Sequence, residues 1–323
     1  MTPQFDILVA DAIALDSLTP LASDARFKLT VKTGLKGDEL RDAIANADAV
    51  LVRSATKITR DSLSRADRLK VIGRAGVGVD TIDVDAATER GIPVLTAPAG
   101  NTISAAELTL ALLLALARRV PAADRSMRAG EWDRKSFTGV ELFGKTLGLV
   151  GAGRIGGEVA TRARAFGMQV IVFDPFLSPA RVEALGVETA AFDDLLTRSD
   201  VISVHVPLSA ETKGLIGEAQ LARLKPTAFV LNVARGGVVD EDALLRALQS
   251  KRIAGAALDV YSSEPLPADH PFRSLPNVVL TPHLGASTAE AQQNVAIEIA
   301  EAVRAALLDN DLSRAVNARW RVG

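Results

Sequence analysis

Residues 144–175, GKTLGLVGAGRIGGEVATRARAFGMQVIVFDP, carry the reading that decides the fold. A short apolar run at 146–150 predicts a buried strand, and Gly151, Gly153 and Gly156 follow it. An amphipathic run at 158–166 predicts a helix, and a second apolar run at 169–173 ends in Asp174. Strand, tight turn, helix and strand, with an acid roughly 20 residues past the glycines, is the grammar of a dinucleotide-binding unit. Gly151 lets the chain turn sharply, and Gly153 holds no side chain between backbone and a pyrophosphate. The first helical N–H groups, around Arg154 and Ile155, can donate to that anion, while Gly156 allows close helix–sheet packing. Asp174 can accept from both ribose hydroxyls and would repel a 2′-phosphate, which predicts NAD rather than NADP.

The chain has 323 residues, enough for two domains, with 48% hydrophobic and 24% charged residues. A net charge of -2 gives no overall positive field for nucleic acid. With no cysteine, disulfides and thiol chemistry are excluded, and the N-terminus reads as a strand rather than a leader, so the expected location is the cytoplasm. The most apolar helical run, 108–117, is too short to span a bilayer and reads as buried.

The opening hundred residues alternate strand and helix. Strands are expected at 5–10, 28–32, 49–52, 70–73 and 92–96, and helices at 18–22, 38–45 and 83–90. Arg53 and Ser54 end one strand, and Arg74, Gly76 and Gly78 end the next, the positions at which a parallel sheet offers its ligands. Residues 97–101 break the pattern before a helix start at 104–107. Residues 130–139, GEWDRKSFTG, combine Trp132 with Arg134 and Lys135 in a loop suited to an interface or a substrate rim, or equally to a solvated turn. Beyond the glycine turn, strands at 187–189, 201–204, 228–232, 255–258 and 277–280 alternate with helices at 192–198, 218–223 and 241–249. Polar residues recur at the strand ends: His205 with Pro207, Ala234 with Arg235, Asp259, and His283. A long helix is expected at 288–308 and a closing strand at 315–317. If that helix returns to the first domain, the division is 1–98 with 285–323 around 99–284.

The chain has three histidines. His283 is the best general acid or base, because imidazole titrates near neutrality. His205 suits a wall of the cofactor pocket as readily as chemistry, and His270 lies in a surface turn. Glu264 is a candidate carboxylate partner for His283, with Asp259 and Glu241 as rivals. Arg235 can pair with a substrate carboxylate through its forked donors and polarise a carbonyl.

Several further segments carry a family resemblance: VRSATKIT at 52–59, GRAGVGVDTID at 73–83, TISAAELTLALLLALAR at 102–118, GEWDRKSFTGVEL at 130–142, NVARGGVVDEDALLRALQS at 232–250, GAALDVYSSEP at 255–265 and PHLGASTAEAQ at 282–292. With the glycine turn and its following strand, they make the chain resemble the D-isomer-specific 2-hydroxyacid dehydrogenases over most of its length. The resemblance implies an α/β fold of two Rossmann-like domains, each a doubly wound parallel sheet. It places a substrate/catalytic domain at 1–98 completed by 285–323, an NAD-binding domain at 99–284, and the active site in the cleft between them. It further implies that Arg235 holds the substrate carboxylate and C2 oxygen, that His283 exchanges the C2 hydroxyl proton, and that Glu264 orients His283 and raises its basicity.

The same resemblance puts Asp259 near the nicotinamide carboxamide and the Gly76 N–H on the substrate carboxylate. The expected cofactor set is then Gly151, Gly153, Arg154, Ile155, Gly156, Asp174, His205, Pro207, Ala234 and Asp259. Substrate contacts are expected from Arg53, Ser54, Arg74, Gly76, Arg134 and Lys135, with Arg53 and Arg134 the leading partners of a substrate phosphate. The implied activity is NAD-dependent oxidation of 3-phosphoglycerate in the first step of serine synthesis. Alternatives are a glyoxylate/hydroxypyruvate reductase, a D-lactate-type enzyme or an NAD-sensing, corepressor-like scaffold. A homodimer through the cofactor domain is expected, with Arg134 acting across it, and no nucleic-acid or membrane partner. Longer members continue into a serine-sensing domain that does not follow Gly323, implying either an enzyme not regulated by that route or a shortened chain.

Overall fold

The computed structural model describes residues 4–317. Contacts divide the chain into one unit of residues 1–101 with 288–323 and a second of residues 102–287. The first holds a five-stranded parallel sheet of β1 (Phe5–Val9), β2 (Phe27–Val31), β3 (Ala49–Val52), β4 (Val71–Arg74) and β5 (Val94–Thr96), in the order β2-β1-β3-β4-β5. The second holds seven parallel strands: β6 (Thr146–Val150), β7 (Gln169–Phe173), β8 (Glu188–Thr189), β9 (Val201–Val204), β10 (Phe229–Asn232), β11 (Gly255–Leu258) and β12 (Val278–Leu280). Their order is β12-β11-β10-β9-β6-β7-β8. Each chain path starts inside its sheet, runs to one edge and then to the other, so each sheet is doubly wound, with switch points at β1/β3 and β6/β9.

Alternation along the strands builds a core on each face. Leu147 and Leu149 join the cluster under the helices Thr102–Ala117 and Arg154–Ala165, while Val150 joins the opposite cluster against the helix Glu241–Gln249. Val201 and Ile202, Val230 and Leu231, and Ala256 and Ala257 divide in the same way, one to each face. A parallel strand covered on both sides must be apolar at successive positions, which is why these runs show no polar alternation. In the first unit, Ile7, Leu51 and Val71 face the long helix Ala289–Asp309, with Ile299 and Val303 fully buried against them. Each such side chain contributes about 1.5–3 kcal/mol by leaving water. Gly73 allows that approach, because a Cβ there would lie 2.8 Å from Val303.

The same electrostatic device anchors both sheets. Asp48 accepts the N–H of Asp6 (2.9 Å) and pairs with Arg68, while Asp200 accepts the N–H of Thr146 (2.9 Å) and pairs with Lys225. Burial works to raise the Asp48 carboxyl, and the Asp6 N–H with Arg68 outweighs it, holding the group below its ordinary value.

Two expectations are corrected. Residues 315–317 do not form a strand: Ala315 makes one isolated antiparallel bridge to Leu95, and the Asn317 side chain accepts from the Val94 N–H at 2.8 Å. A side chain does the pairing that a ladder would otherwise supply. The helix after the glycine turn begins at Arg154 rather than 158, because glycines 156 and 157 are buried within it. The helix Val120–Arg128 escaped the sequence reading; no residue of it is fully buried, and its half-buried side, Pro121, Ala122, Ala123 and Ser126, is made of small residues that leave only a faint apolar signal.

Candidate active site

In the second unit, the polar residues gather at the C-terminal ends of the strands. The turn after β6 reverses at Gly151 (φ 92°), where a Cβ would meet the His205 carbonyl oxygen at 2.9 Å. Gly156 packs under it, its would-be Cβ only 2.3 Å from the Gly151 oxygen. Gly153 has open space around it, and Gly153 and Arg154 are exposed, with Ile155 half-buried. The first N–H groups of a twelve-residue helix therefore face a cradle that a side chain at 153 would fill. At the end of β7, Asp174 accepts from the Ala152 N–H and the Phe176 N–H, both at 2.9 Å, which aims its carboxylate beside that cradle. The residues fit a dinucleotide: a bare turn for its diphosphate and a fixed acid for its ribose.

At the end of β9, His205 places Nε2 2.8 Å from Ser203 Oγ. Burial pushes its imidazole down to about 4, so it is neutral at pH 7 and poorly matched to proton exchange there. Pro207 is exposed two residues on, and its carbonyl accepts from Thr212 Oγ1 at 2.6 Å. His270 caps a short 3-10 helix at Pro271–Ser274 and lies against the Phe272 ring.

The remaining three loops follow β10, β11 and β12, which are neighbours in the sheet. After β10, the Asn232 side chain is buried and spans its own turn: Oδ1 accepts the Ala234 N–H at 3.1 Å and Nδ2 donates to the Arg235 oxygen at 2.9 Å. This fixes the backbone that presents Arg235, whose Nη1 donates to the Ala234 oxygen at 2.7 Å. Gly236 then lies directly on the next loop, where a Cβ would come within 2.0 Å of the Tyr261 oxygen.

After β11, Glu264 turns back so that Oε1 accepts the Tyr261 N–H at 3.0 Å and Oε2 lies 2.7 Å from His283 Nδ1. After β12, the His283 backbone has φ 57°, a left-handed conformation for a residue with a side chain. Asp259 holds it there: its backbone oxygen accepts the His283 N–H, and its carboxylate accepts from Thr281 Oγ1 (2.6 Å), the Leu284 N–H (2.7 Å) and the Gly285 N–H (2.9 Å). Of the three carboxylates that residue type and position offered as partners for His283, Asp259 is fully buried under the loop and Glu241 is bonded to Ser262. Glu264 makes the contact, leaving Nε2 as the ring nitrogen free of that carboxylate.

The first unit places Arg53, Ser54, Arg74 and Gly76 at the ends of β3 and β4. Asp11, 3% exposed, pins the Arg53 loop by accepting the Arg53 N–H at 2.6 Å and Thr56 Oγ1 at 2.6 Å. Arg74 lies over Gly76, where a Cβ would fall 1.6 Å from Arg74 Nη1. In the second unit, Arg134 and Lys135 occupy an exposed loop that Asp133 shapes by accepting the Lys135 and Ser136 N–H groups. Sequence reasoning missed Asp11, although an acid immediately after an apolar strand is a visible signal. It also read Asn101 only as part of a chain break and gave Thr102 no role of its own. Asn101 Oδ1 and Thr102 Oγ1 are buried with no hydrogen-bond partner among the described residues.

Residues 110–285 match the family described as D-isomer specific 2-hydroxyacid dehydrogenase, NAD binding domain. The D-3-phosphoglycerate dehydrogenase of Archaeoglobus fulgidus is 50% identical over 295 residues, covering 91% of this chain and 56% of that protein. This chain thus spans a little over half the length of that curated relative. Among solved structures, the TT0316 protein of Thermus thermophilus is similar at a TM-score of 0.87 and 38% identity, covering 96% of this chain and 99% of that one. A glyoxylate reductase of Paecilomyes thermophila is similar at 0.86 and 33%, covering 98% and 99%. The match spans the glycine turn, Asp174 and the Arg235, Glu264 and His283 loops, and the likeness extends over nearly the whole fold; the chain belongs to the D-isomer specific 2-hydroxyacid dehydrogenase family.

Proposed function

We propose that this chain catalyses NAD-dependent oxidation of D-3-phosphoglycerate to 3-phosphohydroxypyruvate and the reverse reduction. The observation that carries the dehydrogenase chemistry is the 2.7 Å contact between Glu264 Oε2 and His283 Nδ1, made by loops from adjacent strands. Glu264 fixes the tautomer with the proton on Nδ1, so Nε2 takes the C2 hydroxyl proton in oxidation and returns it in reduction. The bound nicotinamide supplies the hydride acceptor. Arg235 pairs with the substrate carboxylate and stabilises negative charge on the C2 oxygen, which eases loss of the hydroxyl proton in oxidation and polarises the carbonyl toward hydride in reduction. Asp174 receives two ribose hydroxyls on the lone pairs that Ala152 and Phe176 leave open, and it repels a 2′-phosphate.

The phosphate assignment rests on Arg53 and Arg134, which an uncharged substrate end would leave without an anion, and on the name of the Archaeoglobus relative. It is tested by following NADH and NADPH oxidation with 3-phosphohydroxypyruvate beside hydroxypyruvate, glyoxylate, pyruvate and 2-oxoglutarate. The expected result is preference for NADH and for the phosphorylated acid. Arg53→Ala and Arg134→Ala should each lower kcat/KM for that acid by roughly 10–100-fold, the worth of a charge-assisted hydrogen bond, and spare hydroxypyruvate. Equal losses on both acids would sink the phosphate assignment, and preference for glyoxylate would move the chain to the reductase branch.

The second unit also supports a homodimer. No residue of the helix Val120–Arg128 is fully buried; Pro121, Ala122, Ala123 and Ser126 are half-buried, and Val120 and Met127 are exposed. Met127 (53% exposed), Trp132 (76%) and Phe143 (77%) are large apolar side chains left uncovered in the same stretch of chain. A second copy docking through these residues would bury them. Trp132→Asp combined with Phe143→Asp should convert the dimer to monomer in sedimentation; an unchanged dimer would place the interface elsewhere.

A further inference from the structure

We propose that Glu241 is a positioning residue for the Glu264–His283 pair, acting through Ser262; this rests on the proposed roles of those two residues. Glu241 opens the helix Glu241–Gln249, whose N-cap Asp240 accepts the Ala243 N–H at 3.0 Å and so fixes the first turn. From that turn, Glu241 Oε1 accepts both the N–H (2.6 Å) and the Oγ–H (2.8 Å) of Ser262. Ser262 is the centre of the bend that carries Glu264 to His283. On one side of it, Tyr261 donates its N–H to Glu264 Oε1 at 3.0 Å and its hydroxyl to the Leu258 and Thr281 oxygens at 3.0 and 2.9 Å. On the other, the chain enters Glu264 two residues later.

Tyr261 therefore ties the start of the bend to the ends of β11 and β12. Among the described residues, Glu241 is the side chain that fixes its outer half by hydrogen bonds. Ser262 is exposed, so without that acceptor both of its donors turn to water and the bend is free to swing, taking Glu264 Oε2 from Nδ1. Glu241 touches neither His283 nor Glu264. Its effect is on where the carboxylate stands, which a conservative replacement can preserve: Gln offers the same acceptor oxygen, while Asp stops one methylene short.

The test compares Glu241→Gln, Glu241→Asp and Glu241→Ala by imidazole NMR of the cofactor-free protein and by kcat. With three histidines in the chain, the His283 ring is assignable by single substitution. Wild type and E241Q should share the same His283 nitrogen and proton shifts and similar kcat. In E241A and E241D the His283 signals should move toward those of a solvated imidazole, kcat should fall roughly tenfold from the misplaced pair, and the Kd for NADH should stay unchanged. If E241A fails to fold, E241D carries the comparison. Wild-type His283 signals and kcat in E241D would overturn the proposal. A wild-type protein that turns over none of the five acids would defeat the dehydrogenase reading, while the His283 shifts would still report the positioning.

Discussion

Replacing His283 by alanine should lower kcat in both directions about 10²–10⁴-fold, the usual worth of a positioned acid–base group, while NADH binds with nearly wild-type affinity. The separation follows from the sheet. The glycine turn and Asp174 lie after β6 and β7, whereas His283 lies after β12 at the opposite edge, and the Asp174 carboxylate is held by Ala152 and Phe176 rather than by the His283 loop. The loop backbone also survives the substitution, since Asp259 holds residues 283–285 through their N–H groups rather than through the imidazole. Glu264→Gln should cost less, because an amide oxygen can still accept from Nδ1 and keep the tautomer. Stopped-flow NADH oxidation and fluorescence titration of NADH measure both quantities. An H283A variant with kcat within threefold of wild type would remove His283 from the chemistry. Joint loss of kcat and NADH affinity would mean that the ring supports the cofactor turn.

Much of this site is legible in the sequence, and for a physical reason. Parallel strands covered on both faces read as uninterrupted apolar runs, so 146–150, 169–173, 201–204 and 255–258 coincide with β6, β7, β9 and β11. Polar residues where those runs stop then mark the ligand edge, and Arg235, Asp259 and His283 stand out without any contact being known. Residue types and their positions alone did not distinguish Glu264 from Asp259 and Glu241 as the partner of His283; the family resemblance singled it out. All three are acids near strand or helix ends, and the choice depends on which loop folds back onto which. Only geometry shows that Asp259 turns under the His283 loop and that Glu241 turns to Ser262. A side chain replacing regular structure was hidden: Asn317 pairs with β5 backbone in place of the expected strand. Asp11 stands in plain view after an apolar strand, but the loop it shapes lies 42 residues on, a pairing that spacing does not reveal. Nor does a helix whose inner side is only half-buried and made of small residues announce itself. The segment Val120–Arg128 has the composition of a solvated turn until a partner surface is considered.

Gly236→Ala should be the most damaging single-methyl substitution near the proposed site. Its added Cβ would lie 2.0 Å from the Tyr261 oxygen, 2.1 Å from the Tyr261 carbonyl carbon and 2.6 Å from the Ser262 nitrogen. All three are backbone atoms, so no rotamer change relieves the clash, and one of two loops must move. If the β11 loop yields, Glu264 leaves His283; if the β10 loop yields, Arg235 shifts. Either displacement, on the order of 1 Å, should reduce kcat/KM by about 10²-fold, and overpacking should lower stability by about 1–3 kcal/mol. Gly153→Ala supplies the contrast, because a Cβ there meets nothing within 4 Å of the protein itself. It should leave Tm unchanged and weaken NADH binding alone, since the methyl occupies the space left for the diphosphate. Thermal unfolding, NADH titration and steady-state kinetics on the two variants separate the cases: G236A loses Tm and kcat/KM, and G153A loses cofactor affinity. A G236A protein with wild-type Tm and kcat/KM within threefold would show that the two loops are not locked together, and that Arg235 and Glu264 hold their places independently.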